Sequence, residues 1–196
     1  MDYRKKWEKA MTYAEYRSLV SELLTNGRST APKQEEHLVT YSDLNQHRMN
    51  RLDKTFDPAT FDLSALKGKM HTHVLVITEG WCGDAAQIIP VLNKTMEAVG
   101  IETRYLLRDS NVDLIDMFLT NGSRSIPVII FLNSNFEVMA SWGPRPAPLQ
   151  AMFYEHKAAP EPKLPEDEFK KQMQLWYAKD KQQTMMSEWL SLADRL

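Results

Sequence analysis

The chain has 196 residues, of which 43% are hydrophobic and 26% are charged. These values are typical of a globular protein with one domain and some added elements. The net charge of −2 gives no electrostatic attraction to nucleic acid or to an anionic membrane surface, so we expect neither as a partner.

Other features of the sequence bear on where the protein works. The charged N-terminal residues are followed by no continuous apolar stretch, so we expect no signal peptide. The longest apolar run, Val128–Leu132, suits a buried strand and is too short to span a bilayer. The single cysteine, Cys82, has no partner for an internal disulfide and fits a reducing cytosol. We therefore predict a cytoplasmic protein.

The first third of the chain is predicted to be helical. Thr12 and Glu15 form a capping-box pair that starts a helix, and Gly27 is a typical helix end. Apolar residues at helical spacing predict a second helix over 34–56 and a short one over 62–67.

From residue 73 onward, strands and helices alternate. The predicted elements are strand 73–78, helix 82–99, strand 102–107, helix 112–120, strands 128–132 and 136–142, and helix 146–157. This order predicts an α/β fold with a mixed sheet of about four strands and helices on both faces.

The last part of the chain begins with a proline-rich stretch, 158–165, which is typical of a semi-rigid linker. Aromatic residues at helical spacing then predict an amphipathic C-terminal helix, and so many aromatics favour packing over exposure. We predict three parts: a helical N-terminal extension over 1–68, a core over 69–157, and the linker with a helix packed on the core over 158–196.

Four local features of the core share their order and spacing with one known family. They are Trp81-Cys82-Gly83-Asp84-Ala85 between a strand and a helix, Pro90 in that helix, Ser125-Ile126-Pro127 before a later strand, and Gly143 after the last strand. The chain resembles the thioredoxin superfamily, and in particular bacterial single-cysteine thioredoxin-like proteins with an N-terminal helical extension. The resemblance implies a thioredoxin-like fold, with Cys82 as the catalytic residue and Trp81, Gly83, Asp84, Ala85, Ile126 and Pro127 forming the site.

The chain departs from the family pattern at two positions. Ala85 stands where dithiol members have their second, resolving cysteine. Val76 stands where they have a buried acid that serves proton transfer for that cysteine. The two losses are consistent with each other, so dithiol reductase activity is not expected here.

The reactivity of Cys82 depends on its pKa, because the thiolate attacks disulfides and the thiol does not. A helix N-terminus favours negative charge and lowers a thiol pKa, whereas the Asp84 carboxylate in the first turn opposes the thiolate. We predict a net pKa below the reference value of about 8.5. The alternative is that Cys82 is a small buried apolar residue.

Pro127 occupies the position of the family's cis proline, so we predict a cis Ile126–Pro127 bond beside Cys82. That geometry would let the backbone of Ile126 pair with an extended substrate segment. The alternative is a trans proline that starts a strand.

Three arginines fall in loops that approach the site edge in this fold: Arg108, Arg124 and Arg145. They are candidates for binding the carboxylates of a small thiol or of an acidic partner. The alternative is that they are solvated surface residues. No cysteine or histidine spacing indicates a metal site, and we expect no cofactor.

Two functional hypotheses follow. The preferred one is a monothiol protein in which Cys82 exchanges with a protein or small-molecule thiol or disulfide, and an external thiol completes the cycle. The other is a non-catalytic binding module that uses the groove around Trp81, Cys82 and Pro127. A homodimer formed through the added helices is compatible with both.

Overall fold

The structure is a computed structural model that describes residues 1–69 and 71–196. Met70, which falls inside the predicted core, lies outside the described residues.

The centre of the fold is a four-stranded sheet in the order β2-β1-β3-β4. Its strands are β1 His73–Thr78, β2 Glu102–Leu107, β3 Val128–Leu132 and β4 Val138–Trp142. β1 is parallel to β2 and antiparallel to β3, and β4 is antiparallel to β3. All of β3 is buried, which explains why this strand is apolar on both faces. The predicted mixed sheet is confirmed.

Eight α-helices are found in the described residues. They are α1 Tyr3–Glu8, α2 Tyr13–Thr25, α3 Glu36–Thr55, α4 Gly83–Ala98, α5 Val112–Ile115, α6 Ala147–Ala158, α7 Glu166–Asp180 and α8 Gln183–Leu192. The capping box predicted at the start of α2 is present, with Thr12 and Glu15 bonded reciprocally. α3 packs along α4, which contains Pro90 as predicted.

The short helix predicted over 62–67 is wrong. The Asp62 carboxylate accepts a hydrogen bond from the Ser64 N–H, and consecutive turns follow as far as Gly68, whose φ is +88°. Asp62 thus starts a turn rather than a helix. A short 3₁₀-helix lies just before it instead, over Pro58–Thr60.

Other predicted boundaries were also wrong. α5 ends at Ile115 rather than near residue 120. The Met117 and Phe118 N–H groups donate to the carbonyls three residues back instead of four, and Asn121 and Gly122 take positive φ values. β4 begins at Val138 because Phe136, with φ 63°, belongs to the preceding turn.

The C-terminal part forms two helices where one was predicted. Lys181 and Gln182 are left-handed, with φ values of 50° and 66°, and separate α7 from α8. The sequence has neither glycine nor proline at this break, so it carries no signal for it.

The N-terminal residues also contribute to the sheet. Helix α1, which the sequence did not predict, buries Trp7. Met11 then exchanges two backbone hydrogen bonds with Tyr105 of β2, at 2.9 and 2.8 Å. These bonds cover part of the edge of the sheet that would otherwise be unpaired.

Helices α7 and α8 bury many large side chains. Phe169, Met173 and Tyr177 of α7 are buried, as are Met185, Met186 and Trp189 of α8. The Trp142 indole N–H donates to Glu188 Oε2 at 2.7 Å, and the Trp142 and Trp189 rings meet edge-on at 5.4 Å. These contacts attach α8 to the end of β4.

We predict that Trp189→Ala lowers the free energy of unfolding by roughly 3–5 kcal/mol, because it empties a fully buried site. Urea unfolding measures this. The control Leu175→Ala removes a side chain that is 53% exposed on α7 and should change stability by less than about 0.5 kcal/mol. Equal midpoints for the two variants would mean that α8 is not part of the cooperative core.

Candidate functional site

Cys82 lies where β1 gives way to α4, at the N-cap of that helix. Its Sγ accepts a hydrogen bond from the Ala85 N–H at 3.4 Å. The thiol in turn donates to the Ile126 carbonyl oxygen at 3.3 Å. This second bond requires the proton, so the contacts suit a thiol rather than a thiolate.

The Ile126–Pro127 peptide bond is cis, and both residues are buried. Since the Ile126 carbonyl already accepts from Cys82 and the residue is covered, its backbone is not presented to an incoming strand in this arrangement.

Gly143, on the loop after β4, passes close to the cis proline. A Cβ at position 143 would lie 2.2 Å from the Pro127 carbonyl oxygen, and the φ of Gly143 is +129°. Only glycine fits both conditions. The approach brings the β4–α6 loop, which carries Arg145, next to the site.

The predicted lowering of the Cys82 pKa is wrong. Burial, followed by the charge of Asp84, raises the pKa of Cys82 to about 12, and the Ala85 N–H and Arg145 offset this only in part. Cys82 is 8% exposed. The helix N-terminus is present as predicted, but desolvation of the thiolate outweighs it.

Asp84 is nearly buried beside Cys82 and has two polar partners. Its Oδ2 lies 2.7 Å from Arg145 Nε in an ion pair whose two side chains are both nearly buried. The Arg145 Nε–H bond does not point toward Oδ2, so the contact is an ion pair and not an aligned hydrogen bond. Its Oδ1 accepts a hydrogen bond from the Tyr177 hydroxyl at 3.0 Å. Burial raises the pKa of Asp84, and Arg145 and Tyr177 oppose that rise.

Side chains from both helical extensions hold the rest of the Cys82 turn. From α3, Asn45 Nδ2 donates to the Gly80 carbonyl at 3.0 Å. From α7, Gln174 Nε2 donates to the Gly83 carbonyl at 3.4 Å, and a Cβ at Gly83 would come within 3.2 Å of that nitrogen. Asn45, Gln174 and Tyr177 were not predicted as site residues, because a polar residue inside an amphipathic helix gives no signal of which residues it will contact.

Each of the three candidate arginines has a carboxylate partner. Arg145 pairs with Asp84, Arg108 Nε donates to Asp109 at 2.7 Å, and Arg124 contacts Asp116 through two nitrogens at 2.6 and 2.8 Å. Arg108 also stacks on Trp81, with its guanidinium carbon 4.7 Å from the ring centroid. Arg124 is exposed, Arg108 is partly buried with 22% of its side chain exposed, and Arg145 is part of the interior.

A buried acid that the sequence analysis overlooked lies three residues before Cys82. Glu79 is 0% exposed. Its Oε2 accepts from the Thr30 hydroxyl and its Oε1 from the Asp109 N–H at 2.9 Å. Burial raises the pKa of Glu79 to about 7 despite these two hydrogen bonds. The sequence did offer one signal for this buried acid, which is the position of Glu79 directly after an apolar strand.

Two further observations concern other kinds of site. Among residues 1–69 and 71–196, no three histidine, cysteine or acidic side chains are grouped so that they could hold a metal ion. In the same described residues, no helix has the length and apolar character needed to cross a membrane.

The thioredoxin-like arrangement of sheet, N-capping cysteine and cis proline agrees with a family comparison. Residues 31–161 match the model of a protein family described as Thioredoxin. The chain belongs to this thioredoxin family. No functionally curated protein matches it.

Two solved structures share the fold. A crystal structure of a protein of unknown function from Pseudomonas aeruginosa superposes with a TM-score of 0.57 at 15% identity, covering 93% of this chain and 97% of that one. An HIV epitope scaffold superposes with a TM-score of 0.55 at 16% identity, covering 94% and 99%. At these identities the similarity shows the fold alone. This family member therefore has a thioredoxin-like α/β fold with helical extensions.

We predict that Asp84→Asn lowers the Cys82 pKa, because it removes the nearest negative charge while keeping the side-chain volume. Alkylation of the folded protein at about pH 9 should be at least about tenfold faster than in the native protein. Tyr177→Phe is the matched control: it loosens the same contact and leaves the charge. Equal acceleration in both variants would attribute the effect to loosening, contrary to the prediction.

We predict that stability falls as pH rises from 4.5 to about 7. In this range the unfolded chain releases the Glu79 proton and the folded chain, with its raised pKa, keeps it. The loss approaches about 3 kcal/mol and ends once the folded carboxyl also ionises.

Urea unfolding at several pH values measures this loss. Glu79→Gln should flatten the dependence, whereas the exposed control Glu22→Gln should retain it. A Glu79→Gln profile parallel to the native one would assign the pH dependence to other groups.

Proposed function

We propose that this thioredoxin-family chain is a non-catalytic binding protein, in which the former active-site turn positions a surface for a partner protein. The observation that supports this most strongly is the state of Cys82. Its thiol donates to a backbone carbonyl, is 8% exposed and has a pKa raised to about 12.

A catalytic thiol would need to be both ionised and accessible. Burial and Asp84 oppose ionisation, and the Asp84–Tyr177 hydrogen bond ties α7 to the first turn of α4. Phe169 and Met173 anchor α7, and each buried side chain of this size contributes about 2 kcal/mol. Moving α7 away to expose the turn would therefore cost several kcal/mol. Ala85 also offers no resolving thiol.

One side of the turn is partly exposed and carries residue types suited to recognition. We define the Trp81 surface as Trp81, Arg108 and Arg124. Arg108 stacks on the Trp81 ring, and its guanidinium also donates to the Arg124 carbonyl at 3.4 Å. Tryptophan and arginine are the residues most enriched at the energetic centres of protein interfaces.

Exposed apolar side chains lie on the same connection as Arg124. Met117 is 60% exposed and Leu119 is 45% exposed, both between α5 and β3. The partner that fits such a surface is a protein segment with apolar side chains, rather than a small thiol held by its carboxylates, because each arginine already has an acidic partner.

A second candidate is monothiol exchange, and the Ala85 N–H bond to Sγ favours it because that bond also stabilises a thiolate. In this case the Cys82 thiolate attacks a disulfide, forms a mixed disulfide and releases one thiolate. An external thiolate then attacks the partner's sulfur in the mixed disulfide, forms a new disulfide with it and releases Cys82 as a thiolate, which takes up a proton. A cytoplasmic location and a homodimer remain predictions from the sequence and fit either candidate.

Capture from an extract of the producing cells, in the presence of reductant, separates the two candidates. We expect Cys82→Ser to retain the same bound proteins as the native chain and Trp81→Ala to lose them, because binding uses the indole ring and not the sulfur. Arg124→Ala tests the edge of the surface, and Lys179→Ala, on α7, is the control. Partners that depend on Cys82 would instead support exchange.

The reactivity of the thiol gives an independent measurement. We expect glutathione disulfide to modify native Cys82 at least about 100-fold more slowly than the urea-unfolded chain, because of burial and the raised pKa. Mass spectrometry counts the adduct. Native and unfolded rates that are alike would contradict the non-catalytic proposal.

A further inference from the structure

Glu79 connects three separate segments around the Trp81 surface. Its own segment is the turn between β1 and Cys82. The second is the connection between α2 and α3, where the Thr30 hydroxyl donates to Glu79 and accepts from the Gly80 N–H at 3.0 Å. The third is the turn after β2, where the Asp109 N–H donates to Glu79 at 2.9 Å. One carboxyl group thus fixes the positions of both neighbours of the Trp81 turn.

The surroundings of this carboxyl oppose a negative charge. Burial is the main cause, and it raises the pKa of Glu79; the two donors, a hydroxyl and an amide, favour the charge, but neither is a cation and together they offset burial only in part. The Asp109 carboxylate repels a charge on Glu79, while the guanidinium of Arg108, which attracts it, is shared with Asp109 and Trp81. On the inner side lies Tyr16, whose pKa is raised by burial and further by the charges of Cys82 and Glu79. The Tyr16 hydroxyl is buried and has no hydrogen-bond partner among the described residues, so it does not solvate the carboxylate.

We propose that Glu79 is a pH-sensitive switch for the Trp81 surface: protonated Glu79 keeps the Thr30 and Asp109 segments closed over the turn, and ionised Glu79 favours their opening to solvent. The closed arrangement holds a carboxyl that has no access to water. The open arrangement solvates it, and an acid in water ionises readily. Opening and proton release are therefore linked.

The direction and size of the effect follow from this linkage. The closed carboxyl has a pKa of about 7 and the solvated one 4.5, so opening becomes more favourable as the pH rises from 4.5 to 7 and levels off above that. The opening equilibrium rises by about tenfold between roughly pH 6 and 8. Arg108, which stacks on Trp81, belongs to the Asp109 segment that opens, so the shape of the Trp81 surface changes with opening.

Only one consequence, that partner binding depends on pH, rests on the proposed function. The opening itself is measurable in the isolated chain. The two proposals can therefore fail separately. If the chain opens with pH while Trp81→Ala still binds all partners, the proposed binding surface is refuted and the proposed switch is supported.

Hydrogen exchange of the full-length protein, corrected for intrinsic rates and followed at several pH values, tests the switch. We expect the protection of the Gly80 and Asp109 amides to fall about tenfold from roughly pH 6 to 8 in the native chain. In Glu79→Gln, which keeps the volume and an acceptor oxygen, the protection should stay constant. A pH slope in Glu79→Gln that equals the native one would overturn the proposal, as would constant protection in the native chain.

Two further measurements make the result specific. The Ile129 and Ile130 amides of the buried strand β3 should be more protected than those of Gly80 and Asp109, and equal protection would mean global unfolding rather than local opening.

Thr30→Ala is the second variant, in case Glu79→Gln does not fold. Losing this donor disfavours the carboxylate further, so the transition should move to higher pH. An unmoved transition would contradict the role of this hydrogen bond in the switch.

Discussion

The ion pair between Asp84 and Arg145, completed by the Tyr177 hydroxyl, is the contact on which the rest of the site depends. It joins the first turn of α4 to the loop after β4 and to α7. A carboxylate is costly to bury unless a cation and hydrogen-bond donors surround it, and here both are supplied by other elements. The pair also keeps a negative charge beside Cys82 and leaves little room for solvent around the sulfur. The chemistry of the thiol is therefore set by the packing of the helices more than by the helix N-terminus.

Much of the fold could be predicted from local sequence, because many of its elements are determined by residues that are close together in the chain. The buried strands β1 and β3 are continuous apolar runs, and the start of α2 is set by the reciprocal bonds of Thr12 and Glu15. The order of strands then restricts the topology of the sheet. The errors occurred where a short-range feature competes with periodicity, such as the Asp62 turn or the left-handed Lys181 and Gln182.

The candidate site was predictable in its positions and much less so in its electrostatics. The motif predicted that Cys82 would lie at the start of a helix and beside a cis Ile126–Pro127 bond. In the structure Cys82 is the N-cap of α4, the bond is cis, and the thiol donates to the Ile126 carbonyl. The direction of the thiol pKa shift depends on burial by residues almost a hundred positions away, such as Tyr177. No local sequence pattern shows that these residues pack near the thiol. Glu79 was overlooked for a related reason. Its carboxyl is surrounded by Thr30 and Asp109, which approach only in the folded chain.

Tyr177 lies beyond residues 31–161, the part of the chain that matches the family model. The matched part thus contributes the cysteine and the acid, while the helix that covers them comes from a segment outside it. A chain shortened to that matched part would keep Cys82, Asp84 and Arg145 but would lose the Tyr177 hydroxyl, so one oxygen of a buried carboxylate would be left without its donor.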